Sequence, residues 1–454
     1  MSNGIIGKTS AYQMAFRAQD VTSDAMKTAI QDWFKLYYLQ APTKEEDPCQ
    51  QIPHTIVRKL TKTTFSEYDA SSKDAFAAQV LRELWMIAPE GMQQALIGGV
   101  SYLKPVPAGD RFRFLVVPRN NMMIFSRDPW GNPTDVGSVE TTAYDKCYYT
   151  LLERRTVDAN GFLTIKNALY RSHDHNDLGQ CAPLSELPQY AQLPSEYTFP
   201  NPVGSVGLVP VRVPVENCVD GSKDAVSVYA AAVGLIHNIN RNEAQLNGEF
   251  ERGKSKIIAS ADFLKKDKYG RAAIQDDVFV GVDEDPGEVG ITIFSPALRE
   301  ASYLARKQDY LRSVENMIGL KRGLLSEVEA VERTAKEITS SEGDYSLTIG
   351  DFQRMWEDAV RESLRVCGIL GQMYRIPGAH EVADDQVVIN WGNGVLFDEE
   401  KTRQQMLGEV QAGLLQPERY LGYAYNLPCD TPAQRARIRK DYMPEVMDEP
   451  EEDE

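Results

Sequence analysis

The 454-residue chain has no apolar run approaching the roughly 18–20 residues needed to cross a bilayer, so no transmembrane helix is expected. Its opening MSNGIIGKTS holds no apolar leader core, so no signal peptide is expected either. Basic charge is in short supply. There are 49 Lys and Arg against 66 Asp and Glu, a formal net charge of −17. That balance argues against a fold that wraps DNA phosphates. Cysteine is sparse: Cys49, Cys147, Cys181, Cys218, Cys367 and Cys429 are scattered, with no CxxC pair. This fits reduced, inert thiols in a cytoplasmic setting better than disulfides or zinc.

Catalytic signatures are missing as well. There is no GxSxG elbow, and none of Gly98-Gly99, Gly204-Ser205-Val206-Gly207 or Gly392-Asn393-Gly394 is followed by Lys-Ser/Thr as a phosphate loop requires. Histidine occurs five times. His54, His237 and His380 stand alone and read as structural. His173-Asp174-His175, with Asp177 nearby, could place two imidazoles on one face of a strand and ligate a metal. The plainer reading is a polar loop after a strand ending at Tyr170, and no third ligand motif is visible. No enzyme, cofactor or metal is expected. A metal-dependent hydrolase using His173 and His175 is the alternative.

What is present is ordinary soluble composition, 42% hydrophobic and 25% charged, on a chain long enough for roughly two to four structural regions. The fold class expected is α+β. The organising stretch runs from Ala225 to Gly319. Val226, Tyr229, Val233, Ile236, Ile239, Leu246 and Phe250 form a helical stripe, and Leu298, Ala301, Leu304, Leu311, Val314 and Ile318 form a second. Between them Val278-Phe279-Val280 and Ile291-Thr292-Ile293-Phe294 flank the acidic turn Asp283-Glu284-Asp285-Pro286-Gly287, which reads as a hairpin. A helix of about 25 residues is roughly 37 Å long, so the whole reads as a protruding arm. An αα-hairpin packed inside a globular domain fits the same spacing.

Residues 1–20 read as a polar arm. Val21–Tyr38 is an amphipathic helix with Thr22 or Ser23 as cap, and Ala41–Pro53 a linker. Lys73–Met86 is a second helix with Phe76, Val80, Leu84 and Trp85 on its apolar side. Strands are expected at Phe112–Val117, Met122–Phe125, Cys147–Arg155, Phe162–Tyr170 and Leu208–Val215, with turns at Asp128–Pro133 and Asp158–Gly161. Leu184–Val203 reads as irregular. Leu320–Glu332 is a loop or short turn carrying Glu327, Glu329 and Glu332. The longest helical pattern runs from Thr334 to about Tyr374, ended by Arg375-Ile376-Pro377-Gly378. A strand at Val387–Trp391 precedes helices at Asp398–Ala412, Pro417–Tyr425 and Thr431–Tyr442. The tail Val446–Glu454 is nearly all acidic and reads as disordered.

Taken together these segments resemble the portal proteins of tailed double-stranded DNA bacteriophages and prophages, most closely the Gram-positive siphovirus-like type. The resemblance is carried by MKTAIQDWFKLYY at Met26–Tyr38, QLNGEFERGK at Gln245–Lys254, ERTAKEI at Glu332–Ile338, and Val387–Trp391 followed by Asp398 and VQAGLL at Val410–Leu415. It covers most of the chain, least well residues 100–215. It implies a portal fold: an arm and helix at 1–45, a β-rich wing at 46–224, stem helices at 225–262 and 295–319, a small α/β clip at 263–294, a tunnel loop at 320–333, a long kinked wing helix at 334–375, a helical crown at 376–445 and the tail. It further implies a dodecameric ring at one capsid vertex of the virion, assembled in the host cytoplasm. Double-stranded DNA would pass through without sequence specificity. The partners implied are the terminase large subunit, the major capsid and scaffolding proteins and a head-completion adaptor. Lys321, Arg322, Leu325, Glu327, Glu329 and Glu332 would line the tunnel, and Asp276, Asp277, Asp283, Glu284, Asp285 and Glu288 would meet terminase and adaptor.

Overall fold

The computed structural model describes residues 5–38, 48–175, 177–253, 256–260, 279–282, 292–294, 297–327, 335–392, 399–425, 427–429 and 431–443. Helix and sheet are mixed, an α+β architecture. The chain divides into two compact units, one of Met1–Phe65 and Ala70–Ile389, the other of Ser66–Asp69 and Asn390–Glu454.

In the larger unit the expected N-terminal arm is instead a helix, α1 (Ile5–Phe16). Tyr12 anchors it. Its ring is fully buried 5.2 Å from the Phe125 ring, and its hydroxyl lies between the carbonyls of Ser138 and Glu153. A Cβ on Gly137 would come within 2.5 Å of that ring, so this glycine is the slot that admits the tyrosine. Helix α2 (Asp24–Tyr37) is capped as expected by Ser23, whose Oγ accepts from the Met26 N–H at 3.1 Å. It buries Met26, Ile30, Trp33 and Phe34. Part of the expected linker is the start of a further helix, α3 (Ile52–Thr64), with Pro53 in its first turn and Ile56, Val57 and Leu60 buried.

After the short strand β1 (Asp69–Ser72), α4 (Ala75–Gly98) is capped by Asp74 and runs well past the expected stop at Met86. Pro89 lies inside it but on the solvent side, while Ala88, Met92, Ala95 and Leu96 continue the buried face. Trp85, expected on the apolar side, is 46% exposed. Gly91 brings α4 close to the Trp356 ring, to which a Cβ would stand at 3.3 Å.

The strands that follow are β2 (Val100–Ala108), β3 (Arg111–Pro118), β4 (Met122–Arg127), β5 (Pro133–Tyr144), β6 (Cys147–Val157), β7 (Phe162–Ser172), β8 (Gln180–Ala182), β9 (Glu196–Pro202) and β10 (Val209–Arg212). They form two antiparallel sheets, β10-β2-β3 and β4-β5-β6-β7-β8 with β9 also on β7. β2, β5, β8 and β9 are additions to the expected strands, and β9 lies in the stretch 184–203 expected to be irregular. β2 contains Pro105 and Pro107, which ordinarily argue against a strand. β10 pairs only with Val100–Leu103, so both prolines fall where β2 has a neighbour on one side only and their missing N–H is not needed.

Two charge nodes lock this region. Glu153 bonds Lys104 at 2.8 Å and Arg155 at 2.7 Å. Burial alone would raise its pKa, but the Arg155 and Lys104 charges outweigh that and hold it at about 2. Arg119, fully buried, donates to the Met122 carbonyl at 2.8 Å and to Thr22 Oγ1 at 3.1 Å, and pairs with Asp224, which Arg127 also engages. At Gly99 (φ 83) a Cβ would sit 2.5 Å from the Ala225 carbonyl carbon, so the turn from α4 into β2 requires glycine.

The elements that follow are α5 (Val233–Arg252), β11 (Lys256–Ser260), β12 (Phe279–Val282), β13 (Thr292–Phe294), α6 (Glu300–Ile318), the 39-residue α7 (Ala335–Met373) and β14 (Val387–Asn390), whose last residue belongs to the smaller unit. Tyr345, Ile349, Phe352, Trp356, Ala359, Leu364, Cys367 and Leu370 on α7 are buried, an apolar face along the long helix expected from Thr334 to about Tyr374. Trp356 meets Phe65 edge-on at 5.4 Å.

The smaller unit holds α8 (Glu399–Gln411), α9 (Pro417–Ala424) and α10 (Pro432–Tyr442), close to expectation. Thr431 and Gln434 form a reciprocal capping box at the start of α10. Arg439 of α10 pairs with the buried Glu418 of α9. The acidic tail 446–454 lies outside the described residues.

Candidate functional site

The arm is built from α5 and α6. Contacts run in opposite order along them, Glu243 to Lys307 near one end and Glu249 to Arg299 near the other, so the helices are antiparallel. Ile236, Ile239, Leu246, Leu311, Val314 and Ile318 are buried. The expected first stripe is helical only from Val233. Val226 and Tyr229 are buried as the stripe required, but in the irregular approach to the helix, with the Tyr229 hydroxyl donating to the Trp33 carbonyl at 2.9 Å. At the far end Arg299 donates to both carboxylate oxygens of Glu249 and holds that group at about 2. At the near end Lys307 bridges Glu243 at 2.8 Å and Gln50 at 3.3 Å.

The tip is a three-stranded sheet ordered β12-β11-β13. β11 is parallel to β12 and antiparallel to β13. The expected hairpin is therefore wrong in its pairing. Phe279–Val282 and Thr292–Phe294 do not pair with each other, because Lys256–Ser260 lies between them. Asp276, Asp277, Asp283, Glu284, Asp285 and Glu288 lie outside the described residues.

The flanks of the arm are uncovered. Phe250, Leu298, Leu304 and Met317 are 41%, 40%, 44% and 57% exposed. One flank carries a groove of about 390 Å³ lined in part by Arg241, Gln245, Tyr303, Arg306 and Tyr310, with Arg306 stacked over the Tyr310 ring at 4.9 Å.

A loop follows at the foot of the arm. Gly319 (φ 76) ends α6 in the left-handed region, and the Leu320 N–H returns to the Glu315 carbonyl at 2.9 Å. The Glu315 side chain, fully buried, then receives the loop. Its Oε1 accepts from the N–H groups of Gly323, Leu325 and Ser326 at 3.2, 2.6 and 2.9 Å, and its Oε2 from the Ser326 hydroxyl at 2.7 Å. The Glu327 N–H donates to Gln308 Oε1 at 2.8 Å, and Lys59 Nζ donates to the Leu324 carbonyl. Arg322 and Glu327 are exposed, while Lys321 and Leu325 are half-buried. Glu329 and Glu332 lie outside the described residues. Sequence reasoning missed Glu315. The available signal was a carboxylate among Leu311, Val314 and Ile318, on the buried side of a helix about to end at a glycine.

The alternative metal site does not assemble. His173 lies with Nδ1 3.5 Å from Cys147 Sγ, and His175 meets the Tyr148 ring edge-on at 5.1 Å. Among the described residues no group of three His, Cys, Asp or Glu side chains could hold a metal ion, and no helix is long and apolar enough to cross a membrane.

No protein-family model and no curated protein matches the chain. Among solved structures it is similar to the neck of a native GTA particle computed with C12 symmetry, at 11% identity and a TM-score of 0.46, covering 93% of this chain and 99% of that one. It is also similar to the neck of an empty GTA particle computed with C6 symmetry, at 13% identity and a TM-score of 0.43, covering 94% and 99%.

Proposed function

We propose that this chain is a portal subunit of the tailed-phage type, a ring-forming conduit for double-stranded DNA. The observation that carries the reading is the arm. Two antiparallel helices hold a small sheet at one end and a pinned loop at the other, and the loop leads on to a 39-residue helix. The exposed apolar side chains on its flanks support neighbours of the same kind, as a closed ring supplies. Twelve copies at one capsid vertex would place α5 and α6 side by side as a stem, and the clip would begin at β11, inside the range 225–262 expected to be stem. This clip, 256–294, would meet the terminase large subunit and later the head-completion adaptor, with Asp276, Asp277, Asp283, Glu284, Asp285 and Glu288 as its acidic contacts. The wing, 46–224 with 334–375, and the crown, 376–445, would face the major capsid and scaffolding proteins.

The mechanism is conduction. Counterion release makes basic linings grip phosphates, whereas repeated carboxylates repel the duplex and keep it centred. Glu327, with Glu329 and Glu332, would supply that field, and Lys321, Arg322 and Leu325 would complete the loop surface. The work of packaging would come from a separate motor. Negative-stain imaging and light scattering of the purified chain test the reading. Closed rings with a central hole are expected. A compact monomer at every concentration and salt overturns it.

A further inference from the structure

We propose that Glu315 is a positioning residue whose buried carboxylate clasps the loop 320–327 to the end of α6. The loop's importance for DNA passage rests on the portal reading above. The clasp itself rests on geometry alone.

A carboxylate sealed from water is costly unless its oxygens are satisfied. Glu315 is satisfied entirely from one place. Three backbone N–H groups and one hydroxyl from Gly323, Leu325 and Ser326 converge on it within 3.2 Å. Successive amides turned towards one anion form a concave cradle, and here the anion is the chain's own. The dependence runs both ways. The carboxylate has a home on the apolar side of α6 only while the loop wraps it. The loop amides have a common acceptor only while the carboxylate is there. Because the same residue's carbonyl accepts the Leu320 N–H, helix end and loop are set by a single residue. Lys59 also holds the Leu324 carbonyl inside the loop, and Gln308 holds the Glu327 N–H at its end, but neither takes up the amides that Glu315 gathers. In a ring this device would fix Glu327 at one height in every subunit.

The test is hydrogen exchange on the intact chain, comparing the wild type with Glu315→Gln and Ser326→Ala. In the wild type the Gly323, Leu325 and Ser326 amides should be protected. Glu315→Gln keeps a carbonyl oxygen for the three amides and an NH2 for the Ser326 hydroxyl but removes the charge, and should cut that protection by about tenfold or more, because hydrogen bonds to charged groups are the stronger ones. Ser326→Ala should cause a smaller loss. Amides of α7 should not change in either variant. If Glu315→Gln fails to fold, Ser326→Ala alone decides. Unprotected wild-type amides, or unchanged protection in the variants, overturn the clasp. Packaging assays with Glu315→Gln rings separate the two ideas. Lost loop protection with normal packaging would leave the clasp standing and refute the channel role of the loop.

Discussion

Glu153 offers the sharpest test of how the β-rich region is held together. The residue is 7% exposed, and its carboxylate is bonded to Lys104 and Arg155. Its pKa is held at about 2 instead of 4.5. A group whose folded pKa is depressed adds stability above its unfolded pKa and loses it as pH falls through the folded one. The difference of 4.5 and 2, at about 1.4 kcal/mol per unit, is worth about 3 kcal/mol at pH 7. At pH 3 the same linkage leaves about half of that or less. Glu153→Gln should therefore cost about 3 kcal/mol at pH 7, somewhat more if Lys104 and Arg155 are left without a counter-charge. The gap between wild type and variant should close by about half at pH 3. Urea titrations followed by tryptophan fluorescence, at one protein concentration and both pH values, give the numbers. A gap below 1 kcal/mol at pH 7, as for a surface pair at about 0–1 kcal/mol, or a gap independent of pH, would refute the reasoning.

Trp356→Ala should cost about 3–5 kcal/mol, because the ring fills the space between Phe65 and Gly91. Chemical denaturation checks it, and a loss typical of a surface residue would contradict the packing described. Excising 276–290 takes β12 out with the turn and leaves β11 paired with β13 alone. On the portal reading proposed above, rings should still form and packaging should fail, and normal in vitro packaging would count against motor docking at the tip. Changing Glu327, Glu329 and Glu332 together to Lys should leave rings intact and stall packaging at low salt, with relief as salt rises. Wild-type packaging at low salt would take these residues off the channel wall.

Much of this architecture was legible where one helix face or one strand meets one core. The helices α2 and α7 and the Leu311, Val314 and Ile318 end of α6 could be read from apolar spacing, whereas Leu298, Ala301 and Leu304, expected in the same stripe, are exposed. α1 could not be read, since what holds it is a tyrosine entering a slot at Gly137, a contact 125 residues away in sequence. α3 and the second half of α4 were hidden by Pro53 and Pro89, which fall in a first turn and on a solvent face, where proline is tolerated. β5 was illegible for a different reason. It lies between two strands, and its run of Thr, Ser and Glu is held by its neighbours' backbones more than by burial. At the arm, the helices could be read but the partner of each tip strand could not, because pairing order leaves no periodic trace. Glu315 was visible only as an oddity, since its donors are backbone groups and backbone groups have no letter in a sequence.

The strand order of the tip also bears on biosynthesis. β11 leaves the ribosome first, yet it is the middle strand. Until Phe279–Val282 and Thr292–Phe294 have been made, Lys256–Ser260 offers two unpaired edges to any other nascent chain. The tip can close only after residue 294 emerges, by which time the first arm helix has waited without its partner. Slowing translation between residues 260 and 294 should therefore raise the fraction of aggregated product, while slowing it after 318 should not.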